Sequence, residues 1–137
     1  MVFESTTIPL LQQVVAFTEA RHHLLAGNVA NMDTPGYQVR DLSVEKFQEK
    51  LRVFVEASGA EPPVASPGYT GPATSPREAA LREVEESMKS ILMHDGSNVG
   101  LEQQVAALTK NQMLHNVAIS IMTSQFRLLQ TAISERV

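Results

Sequence analysis

The sequence predicts a mainly α fold, in which long N- and C-terminal amphipathic helices pack as a coiled-coil-like pair. A small irregular middle region with a Pro/Gly-rich loop separates them. Three observations predict it. Apolar residues recur at alternating three- and four-residue spacing near both ends of the chain. Five of the seven prolines and three of the seven glycines fall between Glu56 and Pro76. Aromatic content is only 5%, with no Trp, so packing must come from Leu, Ile, Val, Met and Ala, a composition suited to helix-on-helix contact. At 137 residues and 43% hydrophobic, the chain has the size and apolar content of one domain.

In the first segment Ile8, Leu11, Val15, Leu25, Val29 and Met32 fall on one helical row whose two remaining slots are Thr18 and His22. Leu10, Val14, Phe17 and Leu24 lie alongside and widen the stripe. Pro9 suits the first turn, where its missing N–H costs nothing. The helix is expected to end near Asn31, because Thr34-Pro35-Gly36-Tyr37 follows. Pro fixes φ for the second position of a turn, and Gly permits the positive φ that a type II turn requires at the third. Asn28 and Asn31, one turn apart, can cap backbone groups or bond a neighbour, and Asp33 and Thr34 can satisfy local N–H groups.

A short helix is expected from Leu42 to Val55, with Ser43 as N-cap and Val44, Phe47, Leu51, Phe54 and Val55 at helical spacing. Glu56 to Pro76 reads as an exposed loop. Ser75-Pro76-Arg77-Glu78 forms a capping box for a further helix from Pro76 to Met93, carrying Leu81, Val84, Met88 and Ile91 and closed by His94-Asp95-Gly96.

The last segment repeats the first at greater length. Leu101, Val105, Leu108, Ile119, Met122, Phe126, Leu129 and Ile133 keep the spacing, with polar Gln112 and His115 in the same row. Leu114, Ala118, Ile121, Leu128 and Ala132 flank it. Polar residues in such a seam can fix the register of packed helices at some cost in stability. One helix from Leu101 to Arg136 would span about 54 Å, too long for the rest of so small a chain to wrap. Its polar face is poor in charge, which points to contact with other protein. The chain thus divides into an assembly helix (1–33), a middle region (34–96, with the loop at 56–76) and a second assembly helix (97–137). The length of the two stripes leads us to expect that ordering of the ends is coupled to assembly.

Other classes lack support in the residues. A net charge of −4 without a basic cluster argues against nucleic acid. The absence of cysteine removes disulfides, thiolate metal sites and thiol nucleophiles. No cleavable signal is visible at the N-terminus, and Asn111 to Phe126 carries too many polar residues for a direct membrane span. Glu19 and His23 are spaced to share a helical face, but zinc sites take three or four ligands. No phosphate loop or nucleophile elbow occurs. Neither an enzyme nor a cofactor is expected.

The string Asn28-Val29-Ala30-Asn31-Met32-Asp33-Thr34-Pro35-Gly36-Tyr37 resembles the Asn-x-x-Asn-x-x-Thr-x-Gly-Tyr signature of the bacterial flagellar rod, hook and hook-associated axial proteins. With Val39-Arg40-Asp41 it looks most like a proximal rod subunit of that family. The stretch from Asp95 to Gln112 is similar to the family's approach to its C-terminal helix, and Phe126, Leu129 and Ile133 match its closing pattern. Two positions depart from it: Gly100 stands where an acidic residue is usual, and His115 where an aromatic one is common. A sister proximal rod subunit shares the signature but typically has a Met-x-x-Ala-x-Arg-x-Tyr-like motif absent here. A generic coiled-coil adaptor would not need the Asp-Thr-Pro-Gly-Tyr corner.

The resemblance implies a structural subunit of the basal body rod, assembling helically through its terminal helices into a drive shaft that transmits torque and surrounds the export channel. The implied location is the periplasmic side of the inner membrane, reached through the type III export apparatus without a cleaved signal. The implied partners are further copies of itself, other rod proteins, the rod-to-ring adaptor and the membrane ring. Asn28, Asn31, Asp33, Thr34, Pro35, Gly36 and Tyr37 would then hold the angle at the corner, and the two apolar rows would form the assembly seams.

Overall fold

A computed structural model describes residues 7–59, 82–84, 92–95 and 100–135. The elements run α1 (Ile8–Ala30), β1 (Val39–Leu42), α2 (Val44–Gly59), β2 (Leu92–Asp95) and α3 (Leu101–Ser134). They fall into two compact units, one drawn from Met1–Leu42 and Met93–Val137 and the other from Ser43–Leu92.

The first unit is a helix pair. α1, 23 residues long with Pro9 in its first turn, lies along the 34-residue α3, the mainly α arrangement that the terminal apolar rows predict. Asn28 meets Gln104, whereas Thr18 meets Asn111 and His115, so the two helices run antiparallel. At 1.5 Å per residue α3 is about 51 Å long and α1 about 35 Å, so α3 outreaches α1. Ile8, Leu11, Phe17 and Leu25 of α1 and Ala118 of α3 are buried in this pair.

β1 and β2 form a two-stranded sheet that the sequence did not suggest. The helix expected from Pro76 to Met93 is corrected here, since Leu92 and Met93 belong to β2. β1 offers an unpaired backbone edge, and pairing with it outweighs the local helical spacing. Residues 82–84 are helical, whereas the capping box at Ser75, the apolar positions Leu81, Met88 and Ile91, and Gly96 lie outside the described residues.

In the second unit α2 starts where Ser43 predicts, because the Ser43 hydroxyl accepts the Lys46 N–H at 3.3 Å. It continues to Gly59, past the end expected at Val55; the proline-rich composition that breaks helices begins only at Pro62, and residues 60–76 of the expected loop lie outside the described residues. Phe47 and Phe54, two turns apart on one face, and Val84 are the buried apolar side chains among the described residues of this unit. Lys50 forms an ion pair with Glu83.

Candidate assembly site: a corner hub and a long exposed face

The corner after α1 is built on backbone chemistry. Asn31 caps the helix, its Nδ2 donating to Gly27 O at 2.8 Å. Tyr37 N–H donates to Thr34 O at 3.1 Å and Gly36 adopts φ +77°, so Thr34-Pro35-Gly36-Tyr37 closes a hydrogen-bonded turn with the positive φ that type II geometry demands. Thr34 N–H donates to Asn31 O at 3.0 Å. Asp33, Thr34, Pro35 and Gly36 are exposed, and Tyr37 and Asn31 are half-buried.

Asn28 is the centre of this corner and is fully buried. Its Nδ2 donates to Arg40 O at 2.7 Å and to Gln104 Oε1 at 3.2 Å, while its Oδ1 accepts the Tyr37 hydroxyl at 3.1 Å and Arg40 N–H at 3.2 Å. One amide thereby uses both donors and both acceptor positions. It pairs with Arg40 as a neighbouring strand would, since the N–H and C=O of a strand residue point to the same side, and this leaves the opposite edge of β1 for β2. Arg21 adds a second tie between α1 and β1, a bidentate pair with Asp41 at 2.8 Å for both contacts.

A second polar contact lies about three turns away along α1. Thr18, fully buried, has its hydroxyl 2.9 Å from Val14 O and 2.8 Å from His115 Nδ1, and Asn111 Nδ2 donates to Thr18 O at 2.7 Å. Thr18 and His115 were visible in the sequence as polar slots in the two apolar rows. Gln104, Asn111 and Arg21 were not singled out, and no local pattern marks them; only their partners on other elements do.

The apolar rows fare differently along their length. On α1, Ile8, Leu11 and Leu25 are buried and Val15 and Val29 half-buried. The least exposed row of α3 is Gln104, Leu108, Asn111, His115, Ala118, Met122, Gln125 and Leu129, which shares Leu108, Met122 and Leu129 with the apolar row read from the sequence. Leu101, Val105, Ile119, Phe126 and Ile133 of that row are exposed instead. So are Met113 at 66% and Leu128 at 62%. Large apolar side chains at this exposure form a patch of the kind that interaction surfaces carry.

The described residues contain no group of three or more His, Cys, Asp or Glu placed to hold a metal ion. His22 and His23 meet edge to face, 6.4 Å apart. No helix among the described residues is long and apolar enough to cross a membrane.

The first unit is a helix pair tied to a Gly-Tyr corner, with one helix outgrowing the other, and comparison with known proteins shows what the chain is similar to. No protein-family model matches the sequence. Curated relatives do, and they are flagellar basal body rod proteins. Several are FlgB: the chain is 26% identical over 120 residues to FlgB of Salmonella typhimurium, covering 85% of this chain and 84% of that protein. It is 26% identical over 133 residues to FlgB of Aquifex aeolicus, with 94% of each covered, and 22% identical over 130 residues to FlgB of Bacillus subtilis, with 95% of each covered. Similarity spanning nearly the full length of FlgB from such distant bacteria supports membership of the FlgB family.

Proposed function

We propose that the chain is a structural subunit of the proximal rod of the bacterial flagellar basal body, acting without catalysis and without a cofactor. The observation that carries this reading beyond the similarity is the uncovered apolar face of α3, which runs from Leu101 to Ile133 on a helix longer than its partner α1. Neighbouring subunits bury it. The polar contacts at Asn28 and Thr18 set the register of α1 on α3 within each subunit, and the ends become ordered as assembly adds further helices to the pair. Packed side by side around an axis, such pairs make a stiff tube that transmits torque and leaves a central passage for exported subunits.

The partners in this account are further copies of the chain, other rod proteins, the rod-to-ring adaptor and the membrane ring. The chain reaches them through the type III export apparatus, on the periplasmic side of the inner membrane. The seven corner residues Asn28, Asn31, Asp33, Thr34, Pro35, Gly36 and Tyr37 fix the direction in which the chain leaves the tube wall. Deleting the gene tests the reading: cells should lose motility and yield basal bodies that lack a rod, and the wild-type gene should restore both. Motile cells with complete rods after deletion would overturn it.

A further inference from the structure

Thr18 is fully buried, and its hydroxyl stands among three polar atoms: Val14 O and Val15 O, each at 2.9 Å, and His115 Nδ1 at 2.8 Å. A hydroxyl has one hydrogen to give and two lone pairs with which to accept. Were that hydrogen turned toward His115, both carbonyl oxygens would face the hydroxyl's lone pairs at hydrogen-bond distance in a site closed to water, where like partial charges repel strongly. Turned toward the carbonyls, the hydrogen is shared between two acceptors of its own helix. The 2.8 Å contact with the ring then needs a hydrogen carried by Nδ1 itself.

We infer that neutral His115 is held as the Nδ1–H tautomer, donating to Thr18 Oγ1 while Thr18 donates to its own helix, and that this joint between α1 and α3 withstands protonation of the ring. The free acceptor is Nε2, on the far side of the ring from the bond, and a proton added there changes neither hydrogen bond. Had Nδ1 been the acceptor of a backbone N–H, protonation would have broken the contact.

Few charged groups face the ring. His115 lines a cleft of about 240 Å³ together with Glu19 and His22 of α1, and its neighbours there on α3, Asn111, Gln112 and Asn116, carry no charge. Arg21 of α1 is engaged with Asp41. A charged His115 thus meets one carboxylate and one further histidine, whose effects oppose each other. The contact that sets the helix register keeps its form from neutral to acid conditions, a property of the helix pair itself that does not depend on the rod reading.

The test is long-range hydrogen–nitrogen correlation spectroscopy on the isotopically labelled full chain. At about pH 8 the His115 Nδ1 resonance should lie in the protonated range and Nε2 in the unprotonated range, whereas at about pH 5 both should lie in the protonated range. The nuclear Overhauser contact between the Thr18 and His115 side chains should persist at both. Thr18→Val, which keeps the shape and removes the hydroxyl, should leave His115 a mixture of tautomers with the other amide signals of the helix pair retained. Thr18→Ser, which restores the hydroxyl, should return it to Nδ1–H. An Nε2–H ring or averaged nitrogen shifts in the parent chain, an unchanged tautomer in Thr18→Val, or loss of the contact at the lower pH would each overturn the inference.

Discussion

Asn28 joins α1, the turn, β1 and α3 through a single side chain, so its removal leaves Gln104, Tyr37 and both backbone groups of Arg40 without their partner. Asn28→Ala is expected to lower unfolding stability by about 2–4 kcal/mol, seen as a lower urea midpoint at unchanged slope. Tyr37→Phe removes one of the four bonds and should cost about 0.5–1.5 kcal/mol. Two glycines nearby should respond in opposite directions. A Cβ at Gly36 would meet nothing within 4 Å, so the cost of Gly36→Ala is purely the positive φ, about 1–2 kcal/mol. A Cβ at Gly27 would make only an ordinary contact of 3.9 Å with the Tyr37 hydroxyl, so Gly27→Ala, inside a helix, should stabilise by about 0.5–1 kcal/mol. Equal signs for the two substitutions in thermal or urea unfolding would contradict the conformations assigned here. The sequence announced the turn, since Pro-Gly limits the backbone to few forms. It did not announce that Asn28 bonds Gln104, because that partner lies 76 residues away and nothing local distinguishes Gln104 from Gln103 beside it.

At the level of elements, the polar contacts set how α1 and α3 align. Thr18, Asn111 and His115 occupy positions where apolar residues would pack with equal ease in several registers. Replacing them together, by Thr18→Val, Asn111→Leu and His115→Leu, removes both partners of the Thr18–His115 bond and the Asn111 donor to the Thr18 carbonyl, which keeps its place in the helix, so stability should change by no more than about 1 kcal/mol. The register should loosen. Because the chain has no cysteine, pairs of introduced cysteines can report this: in the parent only the native α1–α3 pairing should form a disulfide, and in the triple variant pairings one heptad away should appear as well. A triple variant that keeps the single pairing would show that apolar packing and the remaining Asn28–Gln104 bond set the register without the Thr18 contact. Both long helices were legible because their rows are long and regular. The face of α3 that meets α1 was not, since polar Gln104 and Asn111 sit on it and hydrophobic spacing favours Val105 and Ile119 instead. The strands escaped notice for a different reason. Each is four residues long, and β1 and β2 are made by pairing across some fifty residues, which no local spacing encodes.

At the scale of the whole molecule, the proposed rod role rests on a longest helix that exposes Met113, Val117, Leu128 and Ile133. In that proposal the corner and the helix pair provide a defined shape, and the outward face of α3 is what neighbours cover. The measurement that tests this most directly is the thiol reactivity of single cysteines placed at Met113, Val117 and Leu128, each more than 45% exposed in the single chain, compared between the free chain and isolated basal bodies. A cysteine at Glu45, an exposed position of α2, serves as the reference. The account predicts rapid labelling of all three in the free chain and strong protection in the basal body. Equal labelling of α3 in both states, with the chain present in the basal body, would contradict it.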